Sequence, residues 1–180
     1  MSHPTVSVVI PTYNARSTIE RALQSVANQS LNATEVIVID DASTDDTINI
    51  VSGFSATSKI AIRILRSDQN AGPGSARNRG WDSSIGEFIA FLDADDVWHP
   101  QKLEIQVREM RRNRSFVMSC HERIVSTSHI FPSFDETKVS TRELSLNDFI
   151  IKNRCSTPTV MVRKSINERY QDDKRHAEDY

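Results

Sequence analysis

A short apolar run that stops abruptly at carboxylates constrains this chain more than any other stretch. Phe88 to Leu92 is followed at once by Asp93, Ala94, Asp95 and Asp96. An unbroken apolar run of this length suits a strand covered on both faces, as in a parallel sheet. In open sheets of that kind, ligands bind beyond the carboxyl ends of the strands. The acidic cluster therefore falls where a site is expected. Asp93 and Asp95 sit two residues apart on a turn and can converge on a hard cation. Such cations take oxygen ligands, and magnesium is commonly shared between one or two carboxylates and substrate phosphates. Closely spaced carboxylates repel one another and stay jointly ionised only beside positive charge. The plainer alternative is a set of solvent-facing turn formers or helix caps.

The rest of the chain supplies the same pattern in weaker form. Val6 to Ile10 reads as a strand ended by Pro11, with Thr12, Tyr13 and Asn14 as a polar turn. Ser17 and Glu20 have capping-box spacing ahead of the helical stripe Ile19, Ala22, Leu23, Val26 and Ala27. Glu35 to Ile39 is a second strand, ending at Asp40 and Asp41, with Ser43 and Asp46 placed to cap the next helix. Ile60 to Leu65 is a third strand. Gly72, Pro73 and Gly74 form a bend before a helix from Ser75 through Trp81. Pro100 suits a first helical position, followed by the stripe Leu103, Val107 and Met110. Phe116 to Cys120 and Thr159 to Val162 read as further strands. Between them the segment 122–141 is polar, with room for a hairpin, and 144–151 is a short helix. Strands alternating with helices give an α/β domain with a mostly parallel central sheet and helices on both faces. Loops after parallel strands share one edge, so Thr12 to Asn14, Asp40 with Asp41, and the Asp93 turn can meet there.

Composition narrows the partners. The 180 residues include 22 basic and 24 acidic side chains, a net charge of -2, which argues against a general nucleic-acid binder. A single domain is the default for this length. No signal peptide and no bilayer-spanning run is present, so a cytoplasmic domain is expected, acting at the inner face of a membrane only through a partner or further sequence. Cys120 and Cys155 have no metal-ligand spacing and read as buried free thiols. Gly72 and Gly74 form neither a dinucleotide fingerprint nor a phosphate-binding lysine loop. Arg77, near the start of its helix, could offset phosphate charge.

Four segments in this order resemble family-two inverting glycosyltransferases of the GT-A fold: VSVVIPTYNARSTIERALQSVANQS, EVIVIDDASTDDT, NAGPGSARNRG and GEFIAFLDADDVW. The resemblance is strong over residues 5–110 and patchy beyond, through STPTVMVRKS and AEDY. It implies transfer of a sugar, usually from a UDP-linked donor, with inversion. It implies that Thr12, Tyr13 and Asn14 line the nucleotide pocket and that Asp40 contacts the base. Gly72 and Arg77 would lie in the segment over the donor. Asp95 would be the main ligand of a Mn2+ or Mg2+ ion, with Asp93 on ribose or metal and Asp96 shaping the turn or the donor-sugar site. Asp179 would be the general base. The nucleotide-binding part would span about 5–115, and the acceptor part, about 116–180, would be incomplete because the chain stops just past that aspartate. The acceptor is left open among glycan, lipid-linked glycan and protein, and so is homo-oligomerisation. Two competing functions remain: a nucleotide-sugar-binding module without transfer, and a sugar nucleotidyltransferase, whose glycine- and lysine-rich first loop is replaced here by Pro11, Thr12, Tyr13 and Asn14.

Overall fold

The computed structural model describes residues 3–125, 139–144 and 155–171. Within them the chain forms β1 (Val6–Thr12), α1 (Ile19–Ala27), β2 (Glu35–Asp40), α2 (Thr47–Thr57), β3 (Ile62–Arg66), α3 (Pro73–Ser83), β4 (Phe88–Phe91), α4 (Lys102–Arg112) and β5 (Met118–Ser119). A 3-10 turn at Thr157–Thr159 leads into β6 (Met161–Arg163). One sheet takes them in the order β3-β2-β1-β4-β6-β5. The first four strands are mutually parallel, while β6 runs antiparallel to both β4 and β5.

The three central strands are buried on both faces, which is why they read as unbroken apolar runs. Their alternate residues feed two cores. Val8, Ile10, Val36, Val38, Phe88 and Ala90 pack with α1, Val51 of α2 and the Leu103, Val107 and Met110 stripe of α4. Val9, Ile37, Ile39, Ile89 and Phe91 pack with Ala76 and Trp81 of α3 and with Val160 and Val162. Helices therefore cover both faces. α3 lies close on its side because Gly80 has no side chain: a Cβ there would come within 2.3 Å of Val9 Cγ1.

Several local expectations are corrected. The Ser17–Glu20 capping box does not form. Thr18 occupies the cap position of α1 without a side-chain cap bond, and the Ala15 carbonyl accepts from the amides of Thr18 and Ile19 instead. Ser43 caps no helix either, because its hydroxyl accepts from the Asn14 amide at 3.0 Å. Asp46 does take the cap position of α2, but without a side-chain cap bond, and it is Asp45 that accepts from the Thr47 amide. α4 starts at Lys102, not Pro100, and α3 starts at Pro73, not Ser75. The strand expected at 116–120 shrinks to Met118–Ser119. Cys120 and Cys155 are joined in a disulfide, with Cα atoms 5.8 Å apart, and are not free thiols. The β5–β6 pairing sets Ser119 opposite Met161, so the chain leaving β5 runs beside the chain entering the 3-10 turn. The hairpin expected in 122–141 and the helix expected at 144–151 fall mostly outside the described residues. No described helix is long and apolar enough to cross a membrane.

Candidate donor site at the carboxyl edge of the sheet

Parallel register brings the strand ends together. Thr12 is paired with Asp40, and Asp40 with Arg66, at one edge. Thr12 is buried, and its hydroxyl donates to the Ile10 carbonyl at 3.2 Å. Tyr13, just after β1, is 52% exposed, so its ring does not pack in the core. Asn14 turns the chain with a φ of 49°, in the left-handed region that asparagine tolerates. Its side-chain oxygen accepts from the Thr44 amide at 2.9 Å, and its own amide donates to Ser43. The loops after β1 and β2 are thus stitched to each other.

The two aspartates after β2 face different partners. Asp40 is fully buried and accepts from the Ser43 amide and from Arg66 Nε, each at 3.1 Å. Both of its oxygens are engaged within the chain. Asp41 accepts from the Ala71 amide and, at 2.8 Å, from the Gly72 amide. It therefore holds the entry to α3, where Gly72 is the cap residue with a φ of 90°. Few residues other than glycine adopt that backbone.

One turn into α3, the buried Arg77 donates through Nη2 to Asp93 Oδ1 at 2.8 Å. The chain of contacts Asp41–Gly72–α3–Arg77–Asp93 ties the β2 loop to the acidic turn after β4. That turn is closed by the Asp96 amide donating to the Asp93 carbonyl at 3.1 Å. Arg21 of α1 donates to the Asp95 carbonyl from the other side. Asp95 is exposed, while Asp93 and Asp96 are half-buried. Burial, then the charges of Asp95 and Asp93, push the Asp96 carboxyl above its usual range, against a smaller pull from Arg123 and Arg21.

Among the described residues, no three His, Cys, Asp or Glu side chains are grouped as a ready-made metal cage. The donor set fits a cation shared with a ligand: exposed Asp95 and half-buried Asp93 offer hard oxygens, and phosphates would complete the shell. Asp179 lies outside the described residues.

The sequence reading underweighted Asp41, whose amide clamp spans 30 residues, and missed Arg66 and Arg21. A basic residue closing an apolar strand was a signal for Arg66. Nothing local pointed to Arg21.

The mostly parallel sheet with helices on both faces, and the acidic turn at the carboxyl end of an inner strand, are those of a GT-A domain, as in the solved structures that it resembles. The family model "Glycosyl transferase family 2" matches residues 7–171, and the chain belongs to that family. Over 175 residues it is 31% identical to the UDP-Glc:alpha-D-GlcNAc-diphosphoundecaprenol beta-1,3-glucosyltransferase WfgD of Escherichia coli, covering 97% of this chain and 66% of that protein. The crystal structure of S. aureus TarS 1-349 in complex with UDP superposes with a TM-score of 0.72 at 29% identity, over 89% of this chain and 47% of TarS 1-349. The mannosyltransferase PcManGT of Pyrobaculum calidifontis, in complex with GDP-Man and Mn2+, gives a TM-score of 0.63 at 29% identity, over 68% of this chain and 36% of its own. The chain spans under two thirds of each of these proteins.

Proposed function

We propose that this chain is the donor-binding domain of an inverting glycosyltransferase that moves a sugar from a UDP-sugar to a hydroxyl of a glycan or lipid-linked glycan. The observation that carries this reading is the line from Asp41 through α3 and Arg77 to Asp93. It builds one rigid rim from the loops that would hold the nucleoside and the turn that would hold the diphosphate. The nucleotide-binding part is assigned to about 5–115 and the acceptor part to about 116–180.

In this reading, Tyr13 covers one side of the nucleoside, while Thr12 and Asn14 shape the loop beneath it. Asp40, buried with its oxygens bonded to the Ser43 amide and to Arg66, serves the base side of the pocket by ordering the loop after β2 and not by direct contact. Gly72 allows the backbone to approach the donor. Asp95 and Asp93 would hold a Mn2+ or Mg2+ ion, which when bound offsets the charge of the departing diphosphate. Asp96 borders the sugar. The acceptor oxygen forms a bond to the anomeric carbon as the bond from that carbon to the diphosphate oxygen breaks. The hydroxyl proton passes to a carboxylate acting as general base, assigned to Asp179. Attack from the face opposite the leaving group inverts the centre. The lipid-linked acceptor is supported by the name of the Escherichia coli relative. A cytoplasmic domain working at the membrane face accords with it.

A thermal-shift screen of UDP-, GDP- and dTDP-sugars, each with and without Mn2+, tests this reading. Stabilisation by UDP-sugars that needs the metal is expected. Stabilisation by nucleoside triphosphates in preference to sugar nucleotides would instead favour a nucleotidyltransferase.

A further inference from the structure

The chain leaving β6 returns across α3. Asn78, the residue after Arg77, uses both ends of its amide on one residue of that chain. Its Nδ2 donates to the Tyr170 carbonyl at 2.8 Å, and its Oδ1 accepts from the Tyr170 amide at 2.9 Å. A primary amide is the side-chain group that offers donor and acceptor side by side, as a neighbouring strand would. Gly74 leaves room for this approach, since a Cβ there would stand 3.1 Å from the Gln171 carbonyl oxygen. Outside the clasp, Arg169 pairs with Asp82 at 3.0 Å and covers the Trp81 ring.

The clasp aims the Tyr170 ring. It stands edge-on to Phe91, the last residue of β4, with centroids 5.4 Å apart. It also lies 5.4 Å from the Arg77 guanidinium. A ring face is one of the few apolar surfaces that attract a buried cation. The Arg77 guanidinium is therefore held on one side by Tyr170 and on the other by Asp93.

We infer that Asn78 and Tyr170 are positioning residues, which fix Arg77 and through it present Asp93 to the donor diphosphate. The inference rests on the donor-site reading above and deepens it. It makes the strength of donor binding depend on a tyrosine 77 residues beyond the aspartate that it serves. A segment that merely covers α3 would affect stability alone.

The test uses the whole chain in two measurements. In the first, calorimetry follows UDP binding in saturating Mn2+, with melting temperatures recorded alongside. Asn78→Ala and Tyr170→Ala are expected to weaken UDP about 10- to 100-fold, the usual cost of losing a group that orients a metal-binding side chain. Tyr170→Phe, which keeps the ring and the backbone, is expected to restore wild-type affinity. Wild-type affinity in folded Asn78→Ala and Tyr170→Ala would overturn the inference, whatever their melting temperatures. Tyr170→Leu keeps most of the volume without a ring face and serves if the alanine variants do not fold. The second measurement needs no ligand, so it separates failure of the clasp from failure of the donor-site reading. Nuclear magnetic resonance of the Arg77 side chain should show restricted guanidinium rotation in the wild type and freer rotation in Tyr170→Leu. Equal rotation in both would overturn the inference even if UDP binds, and a wild type that shows the restriction without binding UDP would leave the clasp standing and remove the site reading.

Discussion

Carboxylates gather at both edges of the sheet, and Glu35 at the amino edge is treated in the opposite way to the Asp93–Asp96 turn at the carboxyl edge. At the amino edge, Glu35 opens β2 opposite Ser7 and is almost fully buried. Its Oε1 accepts from Ser7 Oγ at 2.7 Å and from the Ile85 amide at 2.8 Å, while Oε2 accepts from Arg63 at 2.8 Å. Ser7 Oγ in turn accepts from the Gly86 amide. Every partner is supplied by the chain, and the group is closed. Burial alone would raise the Glu35 carboxyl, but these bonds outweigh it and hold the group below its usual value of 4.5. At the carboxyl edge, among the described residues, the acidic turn has one firm ion pair, Arg77 on Asp93, for three carboxylates, and Asp96 is pushed up by burial and by its neighbours. A carboxylate serves as a structural lock where its bonds are complete and as a site where they are not.

That contrast can be broken from either side. Glu35→Ala should have the largest effect on folding, because it leaves Ser7, the Ile85 amide and Arg63 without their acceptor. A loss of about 3 kcal/mol in urea unfolding is expected, with UDP affinity unchanged. Asp95→Asn should do the reverse. Its stability should stay within about 0.5 kcal/mol of wild type, as for exposed substitutions in general. Metal-dependent UDP affinity should fall by more than about a hundredfold, beyond the usual cost of an outer partner. If instead Asp95→Asn melts early and binds normally, the two edges do not differ in the way described.

Gly80→Ala sharpens the comparison, since it disturbs the α3 platform without touching a carboxylate. The added Cβ meets Val9 at 2.3 Å, and overpacking of this kind costs about 1–3 kcal/mol. Because α3 carries Gly72 and Arg77, donor affinity should fall together with stability, unlike either carboxylate variant. The smallest effect concerns acid. Glu35 has a folded value below its unfolded one, so its contribution is complete above about pH 4.5 and is lost as pH falls through the depressed folded value. Urea midpoints measured from pH 7 to pH 3 should therefore drop more steeply in the wild type than in Glu35→Gln. Parallel curves would contradict the closed network.

The carboxyl edge was legible in the sequence because its signals are local. An apolar run fixes the strand, the next residues are its carboxylates, and parallel topology decides where they meet. Phe88 to Asp96 contains the first two, and the alternation of strands and helices before it supplies the third. The amino edge was not legible, since nothing about Glu35 itself distinguishes a strand's first residue from a buried lock. Its bonds to Ser7 and Ile85 span 28 and 50 residues and exist only once the register is set. The clasp of Asn78 on Tyr170 spans 92 residues and leaves no periodic trace at either end. The Cys120–Cys155 bridge was misread for a related reason: spacing is informative for metal ligands, but the pairing of these two comes from β5 lying beside β6. The capping residues were misplaced because Ser43 is used between loops, where sequence patterns assign it to a helix end.

The most direct test of the account is a calorimetric titration of UDP into the wild-type chain, first in Mn2+ and then after complete chelation. Saturable binding that disappears when the metal is removed is the predicted result. UDP binding of equal strength in both conditions would contradict the assignment of the Asp93–Asp96 turn as a cation-bridged diphosphate site.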